Sequence, residues 1–277
     1  MGHLDDTVGL VTGAGGGLGR AYALALATAG ARVVVNDLGA GIDGGGRGPS
    51  SADAVVAEIR AAGGTAVADH SNVASIDAGR ALVERAVAEF GRIDTVVHSA
   101  GFSHRSSIVD LDTAHVSAHL AVHLHGAIGL VQGAFTSMTR GGSVVLVTSG
   151  AGLDPRWPGT TAYACAKAGV YAFARVAAVE GAPLGVRVNA LSPVARTRMS
   201  QRMLDDEGGP DDLAPALVAP VVVYLASDLA RDVTGRTFRV VGRSLGTVRF
   251  VEGEPETRAW TPESIAGAVP RLLADDA

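Results

Sequence analysis

An apolar run, Val8 to Val11, leads through Thr12-Gly13-Ala14-Gly15-Gly16-Gly17-Leu18-Gly19 into an Ala/Leu-rich run that reaches Ala29. The order is strand, glycine turn, helix. Glycine permits a tight turn, and a backbone without side chains lets an anion reach the N–H groups and positive dipole end of the following helix. Such a turn can also be only a turn. The next strand, Arg32 to Asn36, ends at Asp37, 18 residues beyond Gly19. That is close to the spacing of ~20 residues at which a carboxylate meets an adenosine ribose 2′-hydroxyl. A carboxylate there repels a 2′-phosphate, so the pairing points to NAD rather than NADP. The competing reading makes Asp37 a loop or helix cap.

The rest of the chain repeats the alternation. Helical spacing covers Asp53 to Ala62 and stops at Gly63-Gly64, and Thr65 to Ala68 is a short strand. Ile76 to Phe90 is a helix closed by Gly91, and Asp94 to Ser99 a strand. Later come strand Ser143 to Thr148, helix Tyr163 to Glu180 and strand Arg187 to Leu191. The strands are continuous Val/Ile/Leu runs, as expected where helices cover both faces of a parallel sheet. The expected fold is therefore α/β, a single doubly wound parallel sheet flanked by helices. Residues 1–242 are expected to form the domain, with 243–277 an extension packed on it and Thr261-Pro262-Glu263 opening a helix. Gly39 to Ser51 and Met203 to Pro215 read as excursions, the second as a mobile lid.

Composition excludes several classes. With 47% apolar and 18% charged residues, the 277-residue chain can bury a large core. Its 23 basic and 28 acidic residues include no Lys/Arg block, so no nucleic-acid partner is expected. The stretch Thr113 to Thr139 has no Asp, Glu, Lys or Arg but carries His115, His119, His123 and His125. It reads as a buried helix, and no membrane partner is expected. One cysteine, Cys165, cannot form an internal disulfide, and the acidic start Met1 to Asp6 is not followed by a signal core. A cytoplasmic protein is the expectation.

The second chemical signal is Tyr163-Ala-Cys-Ala-Lys167, which holds the only lysine in the chain. Residues four apart share a helix face, so a phenol and an ammonium meet there. A neighbouring cation favours tyrosinate and moves Tyr163 toward general acid–base use. The four histidines could suggest a metal stripe, but no His-Glu-x-x-His pattern or cysteine cluster accompanies them. No metal is expected, and they read as partly buried helix surface. Cys165 reads as a packing residue. Trp157 either lines a pocket or anchors a surface loop.

Taken together, Thr12-Gly-x3-Gly17-x-Gly19 and Tyr163-x3-Lys167 resemble the short-chain dehydrogenase/reductase family over nearly the whole chain. The closer resemblance is to the (3R)-hydroxyacyl-CoA dehydrogenase part of multifunctional β-oxidation enzymes. It is carried by LVTGAGGGLGRAYALALA, VVVNDLG with its Gly-rich insertion, and GRID before a strand. It is carried also by Val122 to Gly126, Asn189 to Met199 and the segment after Gly242. The resemblance implies a Rossmann-type fold and NAD-dependent interconversion of a secondary alcohol and a ketone. The family's usual spacing from the tyrosine lands its serine on Gly150, whereas counting from the strand Gly142 to Thr148 lands it on Ser149. Burial fixes strand register and loops absorb insertions, so Ser149 is the assignment.

By resemblance, Tyr163 exchanges the hydroxyl proton, Ser149 orients the substrate oxygen, and Lys167 holds the nicotinamide ribose and lowers the Tyr163 pKa. The implied cofactor-binding set is Gly13, Gly17, Leu18, Gly19, Asp37, Asn72, Val73, Ala100, Gly101, Tyr163, Lys167 and Thr197. Three features depart from the family: His98-Ser99 replaces an Asn pair before Ala100-Gly101, His123 replaces the tetrad Asn, and the segment 243–277 extends past the usual end of the fold. The resemblance also implies a homodimer or homotetramer, to which the small residues Ala164, Ala166, Ala168 and Gly169 are suited. The small-molecule substrate is an acyl-CoA, with Arg156, Arg196, Arg198, Arg202 and Arg243 as candidate phosphate partners, or a hydroxysteroid or other bulky alcohol. The departures leave open a non-catalytic NAD-binding sensor.

Overall fold

The computed structural model describes residues 2–41, 51–154, 157–201, 204, 212–251, 253 and 255–272. Seven parallel strands, β1 (Val8–Thr12), β2 (Arg32–Asn36), β3 (Ala66–Asp69), β4 (Thr95–His98), β5 (Gly142–Val147), β6 (Val186–Val194) and β7 (Thr237–Val241), form the sheet. Their order is β3-β2-β1-β4-β5-β6-β7, with an eighth strand, β8 (Ser244–Val248), at the edge beside β7. The two-residue turn Gly242-Arg243, with Gly242 at φ 55°, sends β8 back along β7. This edge strand lies in the segment expected to be wholly an extension. The chain divides into two compact units, residues 1–247 and 248–277.

Among the described residues, six α-helices stand between β1 and β6: α1 (Gly17–Thr28), α2 (Ser51–Ala61), α3 (Ile76–Phe90), α4 (Thr113–Leu120), α5 (Gly126–Ser137) and α6 (Thr161–Gly181). Helix α7 (Ala219–Ala226) precedes β7, and α8 (Pro262–Leu272) belongs to the second unit. Local chemistry sets their ends. Ser75 caps α3 by accepting from the Ala78 amide at 3.1 Å, and Gly91 at φ 77° stops it in the left-handed region. Asp112 caps α4 by accepting from the His115 amide at 2.7 Å.

Successive apolar residues of the inner strands feed two cores. Val33, Val35, Val97 and Val145 pack with α1, α2 and α7, while Val34, Val96, Val144 and Val188 pack with α3, α5 and α6. Helices α3 and α5 cross closely because Gly129 has no side chain: a Cβ there would lie 2.0 Å from the Ile76 carbonyl oxygen. The stretch expected to be one helix is broken. A π-helical turn, Ala121–His125, separates α4 from α5. No described helix is long and apolar enough to cross a membrane.

The chain runs outward from β1 to β2 and β3 on one side and from β4 to β7 on the other. The carboxyl ends of β1 and β4 therefore flank the crevice where an open α/β sheet binds its ligand.

Candidate active site

The glycine turn closes the carboxyl end of β1. Gly13 and Gly17 have φ of 65° and 52°, and a Cβ on Gly13 would stand 2.6 Å from Ala100 Cα. One on Gly19 would stand 2.2 Å from the Gly13 carbonyl oxygen. No side chain caps the start of α1, and its first turn holds no acidic residue. Its leading N–H groups and dipole end are thus available to an anion, which is what a dinucleotide pyrophosphate requires. Thr197 lies against Gly17, 3.3 Å from a Cβ placed there, and an Arg198 guanidinium nitrogen lies 3.4 Å from one on Gly16. Leu18 packs on the core beside α1.

Asp37 accepts from the amides of Gly15 at 2.8 Å and Gly39 at 2.7 Å. The carboxylate therefore does cap its loop, the competing reading of the sequence, while standing beside the glycine turn where a ribose would lie. Asn72 Oδ1 accepts from the Ala74 amide at 3.0 Å, and buried Val73 follows β3. The amides of Ser99 and Ala100 donate to Thr12 Oγ1 at 3.2 and 3.1 Å. Gly101 lies against the His123 imidazole, 2.4 Å separating a Cβ there from Cε1.

Ser149, two residues past β5, accepts from the Ala151 amide at 3.2 Å and has its hydroxyl on the Tyr163 side, where it favours the ionised phenol. Gly150 has no side chain to offer. Lys167, one turn beyond Tyr163, is buried and donates through Nζ to the Val147 carbonyl oxygen at 2.7 Å. Thr148 Oγ1 donates to the Lys167 carbonyl oxygen at 2.7 Å and ties α6 to the end of β5.

The electrostatics correct one expectation. Burial pushes the Tyr163 phenol up from its usual value, and the Ser149 hydrogen bond only partly offsets this. Lys167 does not lower it here. Its own ammonium is driven down to about 7 by burial, and Nζ sits 5.7 Å from the Tyr163 ring centroid, bonded to a carbonyl.

The four histidines run from surface to core, with His125 exposed, His115 half-buried, and His119 and His123 fully buried. The rings of His115, His119 and His123 stack at centroid separations of 5.2 and 6.0 Å. Their nitrogens bond backbone: His119 Nδ1 to the His115 carbonyl at 2.9 Å and His123 Nε2 to the Phe102 carbonyl at 2.9 Å. Among the described residues no group of three or more potential ligands could hold a metal. His123 packs edge-on to Tyr163 at 5.3 Å, and its Nδ1 is buried without a partner. The π turn and its long-range anchors leave no sequence pattern that would have revealed them.

Cys165, between Tyr163 and Lys167 in α6, is exposed in the single chain. The Trp157 ring lies 3.3 Å from a Cβ placed on Gly150, next to Ser149, and the Arg239 guanidinium lies 2.8 Å from that point. Arg239 was not among the residues singled out from the sequence. Arg243 pairs with Asp212 at 3.3 Å in an exposed salt bridge. Arg156, Arg202 and most of the 203–215 excursion lie outside the described residues.

Comparison with known proteins places these features in context. The pattern of the short chain dehydrogenase family matches residues 7–208. A protein of Mycobacterium tuberculosis named as a short-chain type dehydrogenase/reductase is 43% identical over 84% of this chain and 81% of its own. Mouse peroxisomal multifunctional enzyme type 2 is 40% identical over 90% of this chain, which spans only 33% of that larger protein. The crystal structure of a short chain dehydrogenase from Mycobacterium avium superposes with a TM-score of 0.86 at 40% identity, covering 99% of this chain and 96% of that one.

Proposed function

Because this chain belongs to the short-chain dehydrogenase family, whose enzymes use NAD(P), we propose that it is an NAD-dependent dehydrogenase of secondary alcohols, with a (3R)-3-hydroxyacyl-CoA as its substrate. One observation carries the reading. Ser149 stands two residues past the carboxyl end of β5, with its hydroxyl lowering the pKa of the Tyr163 phenol. Lys167 lies one turn further along α6, and the glycine turn closes the same end of β1 across β4.

The cofactor fits the residues present. The uncapped start of α1, with Gly13, Gly17, Leu18 and Gly19, would hold the pyrophosphate, and Thr197 would stand over the same turn. Asp37, Asn72 and Val73 would line the adenosine half, and the carboxylate of Asp37 favours a free 2′-hydroxyl over a phosphate. Ala100 and Gly101 would line the nicotinamide half, with Tyr163 and Lys167 at its ribose. Bound NAD supplies the hydride acceptor for alcohol oxidation.

The chain's own groups handle the proton. Ser149 donates to the substrate oxygen and holds it against Tyr163. The Tyr163 oxygen takes the hydroxyl proton as the carbonyl forms, and returns it in the reverse direction. Burial holds the phenol protonated in the free protein, so Lys167 has to act when the site fills. Lys167 would hold the nicotinamide ribose when NAD is bound, and its ammonium, on the same helix face as the phenol, favours tyrosinate.

The acyl-CoA assignment rests on the resemblance of Val122 to Gly126 and Asn189 to Met199 to the (3R)-hydroxyacyl-CoA dehydrogenase part of multifunctional enzymes. Arg198, beside the glycine turn, is the candidate for its phosphates. A dimer or tetramer is supported by the exposed apolar face of α6, where Val176 and Val179 are 57% and 74% exposed.

The test is absorbance at the reduced-nicotinamide band with NAD and a medium-chain (3R)-3-hydroxyacyl-CoA, beside a Tyr163→Phe control. Turnover lost in the control supports both mechanism and substrate class. NADH binding without turnover rejects the acyl-CoA and turns the search to steroids and other bulky alcohols. Failure to bind NADH rejects the dehydrogenase reading.

A further inference from the structure

Resting on the reading of Tyr163 as the acid–base residue, we propose that His98 is a positioning residue. Its imidazole couples the glycine turn to the π turn that holds His123 against Tyr163.

Each polar atom of this buried side chain has a partner on a different element. Thr12 Oγ1, at the end of β1, lies 2.9 Å from His98 Nδ1. That hydroxyl already accepts from the amides of Ser99 and Ala100, so its own hydrogen points to Nδ1. Nδ1 is therefore the acceptor and Nε2 carries the hydrogen. Nε2 is 3.1 Å from the Val122 carbonyl oxygen and 3.3 Å from that of His123. Both carbonyls belong to the π turn Ala121–His125. A π turn moves carbonyls off the α-helical register, and a side-chain donor that meets two of them holds the irregularity in place.

What the π turn carries makes this more than packing. His123 places its ring 5.3 Å from that of Tyr163 at an interplanar angle of 84°, and its Nε2 contacts the Phe102 carbonyl oxygen at 2.9 Å. Gly101 stands directly against the same ring. Moving the carbonyls of Val122 and His123 therefore moves a wall of the Tyr163 site and the nicotinamide side of the crevice. Loosening Thr12 instead disturbs the residue that enters the glycine turn.

The two halves of the imidazole can be tested apart. In His98→Asn the amide oxygen falls near the place of Nδ1, keeping the Thr12 partner and losing the donor to the π turn. In His98→Gln the terminal nitrogen falls near Nε2, keeping that donor and losing the Thr12 partner. We expect kcat to fall about 10-fold in His98→Asn with NADH affinity held, and to be restored within about 2-fold in His98→Gln with NADH bound several-fold more weakly.

A second readout needs no substrate. In amide and histidine ¹⁵N spectra, Phe102 and His123 signals should move in the Asn variant, and those of Ser99 and Ala100 in the Gln variant. This crossed pattern supports the coupling. The same signals moving in both variants, or an equal loss of thermal stability with no kcat split, overturns it. If the unaltered chain oxidises no alcohol with NAD, the functional reading fails while the spectra still decide the role of His98.

Discussion

Lys167 Nζ donates to the Val147 carbonyl oxygen at 2.7 Å, and burial alone drives its pKa down to about 7. In the unfolded chain the same group titrates near ~10.4. Between those values the unfolded state holds the extra proton, so this group's contribution is greatest above the upper value. It is lost as pH falls toward about 7.

Lys167→Met removes a buried charge and keeps the stem that fills the space. The variant should melt a few degrees higher than the parent at pH 7, with the gap closing by pH 10, because ~1 kcal/mol shifts Tm by ~2–4 °C in a domain of this size. It should have no NAD-linked turnover. Thermal melts at both pH values check this, and a variant that melts lower at pH 7 contradicts it.

Two buried histidines make the fold acid-sensitive. Burial lowers His98 to about 3 and His123 well below its usual value, while both return to ~6.5 on unfolding. Folded, they stay neutral where the unfolded chain would protonate them. Their stabilisation is complete above about 6.5 and is lost as pH falls from there toward about 3, at up to ~1.4 kcal/mol per pH unit for each. Urea midpoints measured from pH 7.5 to 5 should fall steadily, and His98→Asn should flatten that slope by about half. A flat parent curve would contradict the burial of both rings.

Asp37 serves two ends at once, which shapes its mutational signature. It holds the amides of Gly15 and Gly39 and presents a negative charge beside the glycine turn. Asp37→Ser should raise the ratio of NADP to NAD in kcat/KM by at least ~10-fold, about 1.4 kcal/mol of discrimination. Asp37→Asn, which keeps an acceptor for the loop amides and loses the charge, should shift that ratio with less loss of total activity. Steady-state kinetics with both cofactors reads the ratio, and an unchanged ratio would leave Asp37 as a loop cap only.

The features readable in the sequence are those written in local spacing. The Val33-Val34-Val35 run announces a strand buried on both faces because both neighbours in the fold are helices. The glycine turn and the Tyr163–Lys167 pair are legible because one turn of chain contains each. Ser149 is reached from the end of β5, since strand register survives an insertion that the following loop absorbs.

What the sequence withholds depends on distant partners. Helical periodicity runs through Ala121 to His125, and only the His98 side chain, about 24 positions earlier, shows where two carbonyls leave the ladder. The same holds for Thr148, whose hydroxyl bonds the Lys167 carbonyl, and for Arg239, which a strand at the far side of the sheet brings beside Gly150. Sequence spacing shows the cation beside Tyr163 and not the burial of both groups, and burial is what raises the phenol.

The glycine turn offers the most direct trial of the cofactor site. A Cβ on Gly19 would lie 2.2 Å from the Gly13 carbonyl oxygen and 2.7 Å from its carbon, both backbone atoms that no rotamer change can move. Gly19→Ala must therefore displace the turn from the start of α1, where the amides have to converge on a pyrophosphate. NADH affinity should fall by at least ~10-fold, with ~1–3 kcal/mol of stability lost to overpacking. Gly267→Ala is the control, since nothing lies within 4 Å of a Cβ there and alanine suits a helix interior. Fluorescence titration with NADH separates the outcomes. Weaker binding in the first variant alone supports a dinucleotide on this turn, whereas unchanged affinity in Gly19→Ala would remove the turn from the cofactor site.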